Sequence, residues 1–199
     1  MPTPSVHDPI SPAFVSAVGD ALTGFLDEQA GLAAHTGSTA LLEAARTCVM
    51  GGKRLRPAFC YWGYVAAAGR PADPAPLMRV AASLDLLHAS LLVHDDLIDG
   101  SDTRRGAPSA HRHLEKLLPG PDASHFGQAA AILLGDLLFS WGAEMFESAG
   151  LSPEASRRAA PVLATMRSEV LLGQYLDVAA AFGVTDRSTP QAQAETAER

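Results

Sequence analysis

From Ala13 onward, apolar residues recur every three or four positions along almost the whole chain, with alanine and leucine prominent among them. That is the period of helices that bury one face. The spacing predicts helices over 13–32, 38–50, 54–68, 74–99, 108–118, 125–149 and 153–182. The breaks fall at Gly51-Gly52, Gly69-Arg70-Pro71, Gly100–Gly106, Pro119-Gly120-Pro121 and Gly150–Pro153. Alternating β-branched runs bounded by two-residue turns do not occur, so strand signals are nearly absent and the expected class is all-α, helix packed on helix. No internal repeat is evident. Pro2, Pro4, Pro9 and Pro12 predict an extended, flexible arm over 1–12. Residues 185–199 are polar, contain Pro190, and read as a solvated tail or as the connection to further helices missing from this chain.

Composition narrows this picture without changing it. A chain of 199 residues with 47% hydrophobic side chains can bury one sizeable core, and a formal net charge of −7 describes a mildly acidic globular protein. No broad basic face appears, which argues against nucleic-acid binding. The basic residues that stand out are local: Lys53, Arg54, Arg56, Arg104 and Arg105. The apolar segment 128–149 is interrupted by Asp136, Glu144 and several small residues, so it reads as a buried core helix and no membrane span is expected. Cys48 and Cys60 form no Cys-x-x-Cys pair, and the first basic side chain is Arg46, which leaves no charged start for an export signal. Reduced thiols and a cytoplasmic location follow.

The chemistry concentrates at the end of the fourth expected helix, in Asp95-Asp96-Leu97-Ile98-Asp99, followed by Arg104-Arg105-Gly106. At about 100° per residue, Asp95 and Asp99 lie roughly 20° to either side of His88, and Asp96 about 80° away. Leu84 and Leu92 share the His88 stripe, which thus turns from apolar to charged as the helix ends. A helix C-terminus carries partial negative charge, so three acids there call for a counter-charge. Mg²⁺ suits them: it is hard, prefers oxygen, and takes one or two carboxylates together with phosphates and water. A solvated acidic helix end is the alternative; the interleaved Leu91, Leu92, Val93, Leu97 and Ile98 argue for a cavity wall.

Gly51-Gly52-Lys53-Arg54-Leu55-Arg56-Pro57 places two glycines, three cations and a proline in seven residues. Glycines let backbone N–H groups approach an anion, and Lys53 and Arg56, three apart, could converge on one diphosphate. The spacing is not that of a P-loop. Alone, such a loop reads as a solvated basic turn more often than as a site. Arg104 and Arg105 are neighbours whose side chains should diverge toward two different anions. His88 by itself reads more often as a buried, hydrogen-bonded histidine than as a ligand, and its alignment with Asp95 and Asp99 makes the two readings even. Gln174 and Asp177, three apart near the end of the last helix, face either a cavity or solvent. Asp136, within Leu134–Phe139, reads as a buried structural acid.

In this order, Gly51–Pro57, Leu86-Leu87-His88 through Asp99, Arg104-Arg105-Gly106, Gly135–Phe139 and Gly173–Asp177 resemble the trans-isoprenyl diphosphate synthases, the polyprenyl synthetase family. The resemblance runs from about residue 14 to 184, giving a polyprenyl synthetase domain over 13–184. It implies an isoprenoid-synthase helical bundle around a central cavity, a homodimer, and head-to-tail condensation of isopentenyl diphosphate with an allylic prenyl diphosphate. In that reading Asp95 and Asp99 hold Mg²⁺ on the allylic diphosphate with Asp96 in support. Arg104 holds the same diphosphate; Lys53, Arg56, His88 and Arg105 hold isopentenyl diphosphate. Gln174 and Asp177 lie on the opposite cavity wall.

The family sets product length partly at the residues four and five before the first aspartate. Here these are Leu91 and Ser90, which leave room for a product longer than C15, geranylgeranyl diphosphate first. The family's second aspartate-rich motif has no match after Asp177, so the chain reads as the N-terminal portion of a synthase. Two other readings compete. A class I terpene cyclase would share the aspartates but need no second diphosphate site. A non-catalytic subunit that binds prenyl diphosphate or dimerises with a complete synthase would need no second motif.

Overall fold

The structure, a computed structural model, describes residues 8–184 and is helical apart from one short hairpin. The chain forms two compact units, Met1–Gly150 and Leu151–Arg199. Most of the expected arm, and all of the expected tail from 185, lie outside the described residues. Residues 8–11 are held on the first unit: Trp62 Nε1 donates to the Pro9 carbonyl at 2.9 Å, and Ile10 packs against the core.

Helix α1 spans Pro12–Glu28, with Ser11 Oγ accepting from the Phe14 N–H and proline at the first helical position. Phe14, Val18, Leu22 and Phe25 form its buried stripe. The expected helix 13–32 is in fact two. Gln29 interrupts it, its side-chain amide donating to Glu144 at 3.0 Å, and α2 (Ala30–Thr36) follows, closed by Gly37 at φ 71°. Then come α3 (Thr39–Val49), α4 (Leu55–Ala68), α5 (Ala75–Ile98), α6 (Ala110–Leu114) with a 3₁₀ turn over Glu115–Leu117, and α7 (Ala123–Glu147).

Helix α5 is the axis of this unit. It packs along α7, and α4, α1 and α3 cover its remaining faces. Small residues let the two long helices approach: a Cβ on Gly142 would lie 3.3 Å from the Leu87 amide nitrogen, and one on Gly135 would strike the His94 imidazole. Leu86, Leu134, Leu138 and Met145 are fully buried in this core. Both α5 and α7 are long and apolar enough to cross a membrane, but here they form the packed centre of the unit.

The second unit is α8 (Pro153–Ala181), entered with Ser152 Oγ accepting from the Ala155 N–H at 3.2 Å. It closes through Gly183 at φ 69°, with the Val184 N–H donating to the Ala179 carbonyl and the Gly183 N–H to the Ala180 carbonyl. That is a glycine-terminated helix stop, and it explains why the apolar period ends here.

A hairpin stands where only a loop is expected. Strands β1 (Thr103–Arg104) and β2 (Ala107–Pro108) pair antiparallel, Thr103 opposite Pro108 and Arg104 opposite Ala107. Arg105 and Gly106 turn between them with φ 53° and 80°. Positive φ at both central residues is what a type I′ turn needs, and two-residue strands are too short to show alternation.

Candidate functional site

The C-terminal half of α5 carries the site. Below it, the Met50–Arg54 loop leaves α3 with positive φ at Gly51 (78°) and Gly52 (86°), and Arg54 follows in the left-handed region at 53°. Arg54 is buried; its Nη1 donates to the Val49 carbonyl at 2.9 Å and to Asp85 Oδ2 at 2.7 Å. Asp85 lies one turn before His88 on α5. Burial pushes the Asp85 carboxyl up, opposed by the Arg54 hydrogen bond and by the charges of Arg54, Arg56 and Arg105.

The hairpin turns Arg105 back over this loop. A Cβ on Gly52 would lie 3.3 Å from Arg105 Nη1, so only glycine leaves the guanidinium its place without displacement. The result is a cavity of about 300 Å³ bordered by Lys53, Arg54, Arg56, Asp85, His88 and Arg105, with Ala89 and Leu92 as apolar wall. Four of those border residues, Lys53, Arg56, His88 and Arg105, come from three separated segments. Lys53, Arg56 and Arg105 are exposed and His88 is half-buried. The His88 pKa is lowered from 6.5 to about 4, first by burial and then by Arg56, Arg105 and Arg104. His88 is therefore neutral near pH 7. The border of the cavity carries net positive charge, the sign that attracts anions.

At the upper end of α5 the three aspartates separate. Asp95 is half-buried and Asp99 exposed, whereas Asp96 is only 2% exposed. Arg104 closes on Asp96, its Nε donating at 2.8 and 2.9 Å to the two carboxylate oxygens, and its Nη2 reaches Asp95 Oδ2 at 3.2 Å. The Asp96 hydrogen bond is the first cause raising the Arg104 pKa. Asp96 and Arg104 thus pin the hairpin to α5, and the neighbouring arginines diverge: Arg104 to the acids, Arg105 to the glycine loop.

Asp95 sits in the last turn of α5 and Asp99 one turn on, at its C-cap. Their oxygens are the hard donors that Mg²⁺ takes, but two carboxylates do not enclose an ion. No group of three or more Asp, Glu, His or Cys that could hold a metal occurs among the described residues. The donor set fits a Mg²⁺ completed by water and phosphate oxygens, the usual habit of that ion.

One expectation is corrected. Asp136 is no buried acid: its side chain is 65% exposed, with Oδ1 3.5 Å from His94 Nε2. The phase of α7 turns Gly135 and Leu138 inward and Asp136 outward. Ser90 is fully buried and Leu91 half-buried, and neither borders the 300 Å³ cavity. Gln174 and Asp177 lie on α8 of the second unit, half-buried and exposed respectively. A smaller cavity of about 250 Å³, mostly apolar, lies under the hairpin between α3, α5 and α6. Both cysteines are free thiols, and burial, then Asp96, pushes the Cys48 thiol up to about 11. Asp85 is the site residue that sequence reasoning misses. Its signal is an acid within an apolar helix, one turn before a histidine.

Comparison with known proteins agrees with these motifs. A family model described as polyprenyl synthetase matches residues 38–196. Geranylgeranyl diphosphate synthase of Methanosarcina mazei is 33% identical over 139 residues, 69% of this chain and 38% of that protein. Geranylgeranyl pyrophosphate synthase 11 of Arabidopsis thaliana is 37% identical over 61% of this chain and 32% of its own length. Among solved structures, geranylgeranyl pyrophosphate synthase of Corynebacterium glutamicum, complexed with isoprenyl diphosphate and magnesium, superposes with a TM-score of 0.81 at 38% identity. The match covers 86% of this chain and 51% of that one. The chain thus spans about two fifths of the length of the curated relatives it matches.

Proposed function

The chain belongs to the polyprenyl synthetase family, and from that premise we propose that it serves a prenyltransferase joining isopentenyl diphosphate to an allylic prenyl diphosphate, with geranylgeranyl diphosphate as product. The observation that carries this reading is the pairing of two charge sites on one helix. Lys53, Arg56, His88 and Arg105 border an anion cavity, and Asp95 stands two turns beyond His88 on α5 with Asp99 one turn further, at the helix C-cap. A cyclase, acting on one diphosphate, has no use for the first set.

In the reaction, the C1–O bond of the allylic diphosphate breaks and its electron pair leaves with the diphosphate. The alkene of isopentenyl diphosphate forms the new carbon–carbon bond, and the proton then lost goes to the released diphosphate. Lys53, Arg56 and Arg105 bind the isopentenyl diphosphate through charge-assisted hydrogen bonds. Neutral His88 adds a hydrogen bond without adding charge. Asp95 and Asp99 would hold Mg²⁺, which would supply neutralising charge to the departing diphosphate. Arg104 faces the same group while Asp96 fixes its guanidinium, so the donor is oriented in advance. Ala89 and Leu92 keep water from the reacting carbon. Gln174 and Asp177 take the roles of the family motif they match. A homodimer in the cytoplasm is part of the same proposal.

The test is incubation with Mg²⁺, isopentenyl diphosphate and farnesyl diphosphate, followed by analysis of the dephosphorylated products. A C20 alcohol supports the proposal. A hydrocarbon made from the allylic substrate alone supports a cyclase. Pyrophosphate binding without turnover supports the non-catalytic subunit.

A further inference from the structure

Among the described residues, Arg54 and Arg105 are the two non-glycine residues with positive φ, both at 53°, and both border the anion cavity. Left-handed backbone in a residue with a Cβ persists only where its surroundings over-determine it. For Arg105 the type I′ hairpin supplies that constraint. For Arg54 it is the guanidinium, tied to the Val49 carbonyl one turn back in the chain and to Asp85 across the cavity. The Arg54 and Asp85 side chains are 6% and 11% exposed, and Arg54 Nε is buried without a hydrogen-bond partner. Among the described residues, the hydrogen bonds of that guanidinium go to Asp85 and one carbonyl.

We propose that Asp85 is a positioning residue of this cavity: by fixing Arg54 it sets the left-handed turn that presents Lys53 and Arg56 to a bound diphosphate. Lys53 and Arg56 flank Arg54 in sequence, and the turn directs the buried arginine inward while its two neighbours stay exposed. Rotation of the Arg54 backbone out of this conformation would carry both cations away from Arg105 and His88. Asp85 touches no substrate in this role and acts through Arg54. The inference rests on the anion-site reading above.

Simple electrostatics and positioning give opposite signs, which makes the test decisive. Asp85 is the one acid bordering a cavity of cations. Removing its charge alone should strengthen anion binding; losing the turn should weaken it. Pyrophosphate affinity is measured by isothermal titration calorimetry on the full chain and on D85N, D85E and the double variant Arg54→Leu with Asp85→Leu. We expect D85N to weaken pyrophosphate binding by about tenfold, as loss of an outer-shell partner does elsewhere, and D85E to restore most of it. The double variant removes both charges of the buried pair, so the fold tolerates it better than a lone buried arginine. It keeps the test alive if D85N fails to fold, and it should also bind weakly. Pyrophosphate bound as tightly or more tightly by a folded D85N or by the double variant overturns the positioning role alone. No pyrophosphate binding by the unaltered chain overturns both this role and the anion site.

Discussion

The two charged regions of α5 solve the same problem in opposite ways. At the basic end, the cations at Lys53, Arg56 and Arg105 stay exposed, and the single buried arginine, Arg54, is neutralised by Asp85. At the acidic end, Asp99 stays exposed, and the single buried aspartate, Asp96, is neutralised by Arg104. Each region keeps one buried charge in an internal ion pair, and its exposed charges, Lys53, Arg56 and Arg105 at one end and Asp99 at the other, are those the proposed function assigns to ligands of opposite sign. Burying a charge is costly unless it is paired. Under the proposed function, pairing the buried charge and exposing the others separates stability from binding within each short segment.

Breaking an internal pair should have the largest effect. Asp96→Ala removes both carboxylate oxygens that hold Arg104 Nε and leaves the guanidinium on Asp95 alone, and should cost about 3 kcal/mol of stability, read from urea denaturation midpoints. Overpacking the helix pair comes next. Gly135→Ala drives a Cβ into the His94 ring, and a loss of about 2 kcal/mol is expected, with the His94→Ala, Gly135→Ala pair recovering part of it. The exposed acid should behave differently from its buried neighbour. Asp99→Ala should change stability by less than about 0.5 kcal/mol and abolish the Mg²⁺-dependent part of pyrophosphate binding seen by calorimetry. Equal destabilisation by Asp96→Ala and Asp99→Ala would erase the contrast.

At the basic end the contrast shows as a pH dependence. His88 titrates at about 4 in the fold against 6.5 for the free side chain. Between those values the unfolded chain binds the extra proton, so stability is full above pH 6.5 and declines as pH falls toward 4. His88→Asn should flatten that part of the stability profile, followed by thermal melts across the range. An unchanged profile would show that His88 is not desolvated among the arginines.

Much of the helical framework is legible in the chain because burial along a helix repeats with the helix's own period. The expected segments 38–50, 54–68 and 74–99 each match an observed helix to within about two residues. The hairpin at Thr103–Pro108 and the interruption at Gln29 escape that logic. The first is too short for a period, and the second depends on Glu144, 115 residues away. Asp136 shows the converse. Its apolar neighbours suggest burial, yet side-chain phase on α7 sends it outward.

The linear order of residues by itself determined that the chain is helical, that Asp95 and Asp99 share a face, and that Lys53 and Arg56 stand near a flexible turn. These are local consequences of backbone geometry and residue type. Only the tertiary structure decided which charges are spent on each other. Arg54 meets Asp85 across 31 residues, Arg104 selects Asp96, and Arg105 folds back over Gly52. An ion pair depends on distance and burial in three dimensions, and neither is a property of spacing along the chain.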